Sequence, residues 1–235
     1  MATFVLVHGM WHGGWCWRRV VPPLRYAGHA AYAPTLTGLG ERSHLRGIAI
    51  DLNTHIQDVV NVIEFEELRG VLLVGHSLGG TLAQAVAERV PERIAHLVNI
   101  DGPRAVDGKA FRDLLPELWE EFRQRAQAEG DPDWISPPQD WTFGVEDPAD
   151  VRWLRSKLAP HPLRTWETPI ALRNPAAEGI PRTYIVCTGG STPEAIAAHK
   201  KAWHAPGWHL ETLATGHDPM ITMPHELVEL LRALA

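Results

Sequence analysis

Six short runs of consecutive apolar residues, rich in β-branched side chains, punctuate the chain. They read TFVLVHG (3–9), HAAYAPTL (29–36), GVLLVGH (70–76), IAHLVNID (94–101), RTYIVCT (182–188) and HLETLAT (209–215). Apolarity that is continuous rather than alternating marks strands covered on both faces, as in a parallel sheet. Between the runs lie segments with helical spacing. WCWRRVVPPLRYAG (15–28) predicts a helix ending at Gly28, with Pro22 and Pro23 making its middle irregular. DLNTHIQDVVNVIEF (51–65) places Leu52, Ile56, Val59, Val60 and Ile63 on one helix face. LGGTLAQAVAERV (78–90) is a helix of small residues suited to close packing on a sheet, and PHELVELLRALA (224–235) is an amphipathic helix opened by Pro224. Strand and helix in alternation predict an α/β fold with a mostly parallel, doubly wound sheet.

From 102 to 180 the strand pattern stops and prolines multiply. KAFRDLLPELWEEFRQRAQAEG (109–130) and PADVRWLRSKLAP (148–160) predict helices. Trp119, Trp134, Trp141, Trp153 and Trp166 fall here at uneven intervals. The pattern predicts a core of residues 1–101 and 181–235 with a helical cap inserted at 102–180. Large aromatics above the C-terminal edge of such a sheet shape an apolar pocket, and Trp11, Trp119, Trp134 and Trp141 are its candidate lining. The plainer use of these tryptophans is to fill the interior of the insertion.

Composition narrows the class. With 235 residues, 45% apolar and 21% charged, the chain fits one large globular domain. Its net charge of −6 lacks the basic footprint of a nucleic-acid binder. No apolar run approaches the roughly 20 residues that span a bilayer. Cys16 and Cys187, each in an apolar context, read as buried thiols, although two cysteines also allow one bridge. The start MATFVLVHG has no charged leader and only a strand-length apolar run, which predicts a cytoplasmic protein. His199, His204 and His209 lack metal-type spacing and read as surface, so no metal is expected. The sequence leaves the oligomeric state open, a homodimer included.

LLVGHSLGG (72–80) carries the chemistry. Gly75-His76-Ser77-Leu78-Gly79 fits Gly-x-Ser-x-Gly between a predicted strand and a predicted helix, the setting in which a serine nucleophile is presented. So tight a turn strains the serine and crowds its neighbours, which explains the glycines. Gly-rich turns of this kind also bind phosphate, but the lysine and spacing of that motif are missing. The helix start behind Ser77 offers the Leu78 N–H to a developing oxyanion. His217 in ATGHDPM (214–220) follows the last strand and is the candidate base; His76 should point to the opposite side of the turn. The loop VLVHGMWHGGW offers the Met10 N–H as second oxyanion donor, with His8 as a structural hydrogen-bonder.

FVLVHGMWHGGWCW, GHSLGG and TGHDPM, in this order, resemble the α/β-hydrolase superfamily. The nearest branch is that of the small plant esterases that demethylate hormone esters, with their hydroxynitrile lyase relatives. The resemblance implies an eight-stranded sheet, a helical cap and a serine mechanism without a cofactor, acting on a small-molecule ester. It also places the third catalytic residue after TYIVCT, where Gly190 stands and Glu194 is the available carboxylate. Asp101, at the end of HLVNID, is the alternative and the favoured one, because an acid on that strand can still orient His217. Its ordinary use would be to cap the turn before Gly102-Pro103. In the lyase branch a threonine and a lysine handle cyanide; here Gly9 and Asp218 take those places, and an acidic Asp218 should repel the anion. An esterase acting on a small to medium apolar ester is expected, a lactone or thioester fitting the same geometry, with lyase-type C–C cleavage or a non-catalytic receptor on the same scaffold as alternatives. PTLTGLGERSHL (34–45) reads as an ordered loop held by an Arg–Glu contact.

Overall fold

A computed structural model of the chain describes residues 1–47, 49–189, 192–203 and 207–235. Among them the strands are β1 (Thr3–Val7), β2 (Ala30–Tyr32), β3 (Val71–His76), β4 (Ile94–Ile100), β5 (Trp134–Ile135), β6 (His161–Pro162), β7 (Arg182–Cys187) and β8 (Trp208–Leu213). The helices are α1 (Val21–Tyr26), α2 (Leu52–Phe65), α3 (Leu78–Arg89), α4 (Phe111–Leu114), α5 (Pro116–Glu129), α6 (Pro148–Arg155), α7 (Pro193–Trp203), α8 (Pro219–Thr222) and α9 (Pro224–Ala233).

Six strands form one sheet in the order β2-β1-β3-β4-β7-β8, and every pairing in it is parallel. These are the six apolar runs of the sequence. The eight strands that the resemblance implies are not reached, because the chain supplies no further run of that kind. β2 is shorter than its apolar run: Pro34 has no N–H, and the Leu36 N–H is given to His8 Nε2 at 3.0 Å.

Strand alternation sends side chains to both faces. Phe4, Leu6, Leu72, Val74, Val98 and Ile100 pack against Trp17, Leu24, Leu227 and Leu231 under α1 and α9. Val5, Val7, Val71, Leu73 and Leu97 pack against Ile56, Val59, Leu82 and Val86 of α2 and α3. Burying a large aliphatic side chain contributes on the order of 1.5–3 kcal/mol, so these two layers hold the sheet. The proline pair starts α1 instead of interrupting it, since proline suits a first helical turn. α2 opens on a capping box, with Asp51 accepting from the Thr54 N–H at 2.9 Å. Arg42 pairs with Asp58 on α2 at 3.0 Å rather than with a glutamate, which corrects the contact expected in 34–45. Cys16 and Cys187 are both buried and both free.

Between β4 and β7 the helices α4, α5 and α6 appear where expected. The predicted helix 109–130 breaks at Leu115, because the residue before Pro116 is pushed out of helical space (φ −134°, ψ 62°). One feature escaped the sequence: β5 and β6 make a small antiparallel pair. Strands of two residues are too short to show a period. Phe111, Phe122 and Trp166 from this segment join the layer under α2 and α3, so segment and sheet share a continuous interior.

Two expectations follow. α3 lies so close to β1 that a Cβ on Gly79 would overlap the carbonyls of Val7 and His8. Gly79→Ala should therefore cost about 1–3 kcal/mol of overpacking, read as a lower urea midpoint at unchanged slope. The second concerns acid. Burial holds His8 and His76 neutral, with pKa values lowered to about 3, and pushes His161 well below its ordinary value. Below pH ~6.5 the unfolded chain takes up protons that the folded chain refuses, so each such histidine removes about 1.4 kcal/mol per pH unit. Urea titrations should show stability falling from about pH 6.5 downward. A protein stable to pH 4 would contradict this.

Candidate active site

Ser77 occupies the junction of β3 and α3 with φ 55° and ψ −127°, a left-handed backbone that a side chain rarely adopts. Such a residue costs about 1–3 kcal/mol and persists only where its surroundings over-determine it. They do so here. The Ser77 N–H donates to the Ile100 carbonyl at 2.8 Å, and the Ser77 carbonyl accepts from the Gly80 N–H at 2.9 Å. A Cβ on Gly75 would overlap the Gly79 carbonyl, and one on Gly102 would overlap that of Ser77. The glycines of the motif are thus required by close approach.

Asp101 follows β4 and His217 follows β8. Asp101 Oδ2 accepts from His217 Nδ1 at 2.7 Å, and Oδ1 accepts from the Cys187 N–H at the end of β7, at 3.1 Å. The carboxylate accordingly spans the intervening strand. Burial opposes its charge, but the His217 hydrogen bond and charge outweigh that and hold it below the usual carboxylate range. Burial likewise opposes protonation of His217, yet Asp101, aided by the charge of Asp218, raises its pKa. With Nδ1–H committed to Asp101, Nε2 is left with its lone pair, and it has no hydrogen-bond partner among the described residues. Ser77 Oγ likewise makes no hydrogen bond to a described residue. Contacts of this kind often tighten only when substrate is bound.

The Met10 N–H belongs to the peptide whose carbonyl, on Gly9, accepts from His8 Nδ1 at 2.8 Å. In a trans peptide the N–H points opposite to the C=O, so anchoring the carbonyl in the interior turns the Met10 N–H outward. Neither this N–H nor that of Leu78 donates to a described residue, and both residues line the same cavity as Ser77 and His217.

That cavity is about 1020 Å³. Trp11 and Trp141 line it as expected, together with Phe111, Phe122, Phe143 and Trp166. Trp119 and Trp134 do not. Trp119 stacks on Trp166 with ring centres 6.4 Å apart, and Trp134 is held under the Arg46 guanidinium at 4.6 Å. Phe143, which stacks on the His217 ring at 6.4 Å, had no signal in the sequence.

Glu194 sits exposed in the first turn of α7, held below its ordinary pKa by the helix-start N–H and by Thr192, and it makes no contact with His217. Gly190 and His204, and the side chain of His199, lie outside the described residues, while His209 is exposed and pairs with Glu211 at 2.8 Å. Two further expectations need correcting. His76 does not point away: its ring centre is 4.6 Å from that of His217 and its Nε2 donates to the His217 carbonyl at 2.8 Å. Asp218 does not face the cavity, so it neither repels nor holds an anion there. It is fully buried and bonded to His12 Nε2 at 2.9 Å.

Comparison with known proteins identifies the family. Residues 4–230 match the alpha/beta hydrolase family. The chain is 38% identical over 245 residues to a carbendazim hydrolyzing esterase of Nocardioides sp. (strain SG-4G), covering the whole of both chains. It is 28% identical to methylesterase 10 of Arabidopsis thaliana, over 99% of this chain and 91% of that one. An extracellular alpha/beta-hydrolase from a Paenibacillus species superposes with a TM-score of 0.80 at 24% identity, over 99% of this chain and 98% of that one, a likeness of fold. The parallel sheet, the strained serine after β3 and the full-length match together make this chain a member of the alpha/beta hydrolase family.

Proposed function

We propose that this ester-cleaving hydrolase works through Ser77 as nucleophile, His217 as base and then acid, and Asp101 as the residue that orients the imidazole. The observation that carries the reading is the 2.7 Å bond between His217 Nδ1 and Asp101 Oδ2. It leaves Nε2 to take the Ser77 Oγ proton as Oγ bonds to the ester carbonyl carbon. The carbonyl oxygen becomes an oxyanion that accepts from the Met10 and Leu78 N–H groups, and loss of one such donor costs about two to three powers of ten in rate. Collapse breaks the bond to the alcohol oxygen, which leaves with the proton from His217 Nε2. Water then repeats the sequence on the acyl-serine: His217 takes one proton, the hydroxyl adds to the carbonyl carbon, and Ser77 leaves reprotonated with the free acid.

The aromatic walls suit a small to medium, mainly apolar ester with a flat or bulky acyl part. The name of one relative, a methylesterase, supports a short alcohol part such as methyl. In this reading residues 102–180 serve as the cap over a core of 1–101 and 181–235, with Phe111, Phe122, Trp141, Phe143 and Trp166 as its contribution to the cavity wall.

A fluorophosphonate probe should label Ser77 in the native chain and leave Ser77→Ala unlabelled; labelling elsewhere would contradict the assignment. On p-nitrophenyl esters Asp101→Asn should lower kcat/KM by about four powers of ten, while Glu194→Gln leaves it unchanged. Only neutral His217 can act as base, and Asp101 raises its pKa, so native activity should fall off on the acid side above pH 6.5. The residual activity of Asp101→Asn should persist to lower pH.

A further inference from the structure

Each of the three motif windows carries a titratable side chain close to its proposed working group. His12 stands two residues after Met10, His76 immediately before Ser77, and Asp218 immediately after His217. All three are buried, with exposures of 1%, 0% and 0%. The proposed chemistry uses none of them. Resting on that chemistry, we infer that His12, His76 and Asp218 are positioning residues that tie the oxyanion loop, the serine turn and the histidine loop into one rigid unit.

The hydrogen bonds define the linkage. His12 Nδ1 donates to the Met10 carbonyl at 2.7 Å, and His12 Nε2 meets Asp218 Oδ2 at 2.9 Å. His76 Nε2 donates to the His217 carbonyl at 2.8 Å. Backbone continuity from Asp218 to His217 and from His76 to Ser77 completes a path from the oxyanion loop to the nucleophile. Phe143 seals it: its ring packs edge-on to His12 at 5.2 Å, and its carbonyl accepts the Asp218 N–H at 3.1 Å.

Proton bookkeeping follows from the partners. The Met10 and His217 carbonyls only accept, so His12 Nδ1 and His76 Nε2 must each carry hydrogen. One further proton lies between His12 Nε2 and Asp218 Oδ2, leaving that pair neutral overall. Burial opposes the Asp218 charge, but His12 more than offsets it and keeps the carboxyl below its ordinary range. His76 contributes no charge: its Nδ1 is buried without a partner, and burial keeps the ring neutral. Asp218 Oδ1 stands 3.5 Å from His76 Nε2, too far for a good hydrogen bond.

Apolar side chains of the same size could fill this space at equal or better stability. What they could not do is pull on the Met10 carbonyl. His8 anchors the peptide before Met10 and His12 the peptide after it, so the oxyanion donor is held from both sides. An interaction that matters only when the oxyanion forms lowers kcat when lost and leaves KM in place.

The test is a cycle of Asp218→Asn, His12→Gln and the double variant. Its readouts are kcat and KM on a p-nitrophenyl ester, near-UV circular dichroism for the folded fraction, and fluorophosphonate labelling of Ser77. Each single change should lower kcat of the folded protein by about 10- to 100-fold with KM within about twofold, and the double should be no slower than the slower single. Ser77 should remain the labelled residue throughout. Unchanged kcat in folded variants, losses that multiply in the double, or losses confined to KM would each overturn the inference. Should Asp218→Asn not fold, the kcat and KM of His12→Gln decide alone. Failure of the serine mechanism reads differently, as activity that survives Ser77→Ala.

Discussion

The structure depends on the reversal at Ser77. A parallel strand must pass directly into a helix within one residue, and that residue must carry a side chain while holding φ at 55°. The conformation is unfavourable in isolation. It is enforced by packing: α3 lies against β1 and β3 at distances that admit no Cβ at Gly75 or Gly79, and the loop after β4 crosses Ser77 at Gly102 with equal closeness. Any side chain at these places would push the helix off the sheet and release the strain that exposes the hydroxyl.

Once the turn is set, the parallel order of the sheet does the rest. In β1-β3-β4-β7-β8 all the C-terminal ends lie along one edge. The loop bearing Met10 leaves β1, the serine leaves β3, Asp101 leaves β4 and His217 follows β8. Asp101 and His217 are 116 positions apart in the chain and 2.7 Å apart in space. The segment between β4 and β7 then supplies most of the aromatic wall, and its interior is continuous with that of the sheet, so the cavity and the edge bearing Ser77 and His217 are built on one support.

Histidines fill much of the polar interior behind this edge. His8 and His12 are buried in the loop after β1, and His76 is buried at the end of β3 beside Ser77. Burying such groups is costly unless they are bonded, and each has at least one backbone carbonyl partner. A fold seeking stability alone has cheaper fillings. Their use here fits a site in which three loops of separate origin must hold a fixed geometry.

Six strands, the helices that cover them, the serine turn and the histidine after β8 are legible in the amino-acid order alone. These are readable because they rest on short-range physics: apolar runs, helical spacing, and glycine where a turn is tight. The choice between Asp101 and Glu194 was open in the sequence, since both follow strands near the same edge. The tertiary fold separates them: β7 lies between β4 and β8 and brings the end of β4, with Asp101, within hydrogen-bond reach of His217. The directions of His76 and Asp218 are hidden from the sequence for the same reason. A side chain's orientation beyond a strand end is set by what packs against it, and their partners, His217 and His12, lie 141 and 206 positions away. Trp119 and Trp134 illustrate the remaining gap: a tryptophan's identity predicts burial, but Trp166 and Arg46, not the sequence pattern, direct those two rings away from the cavity.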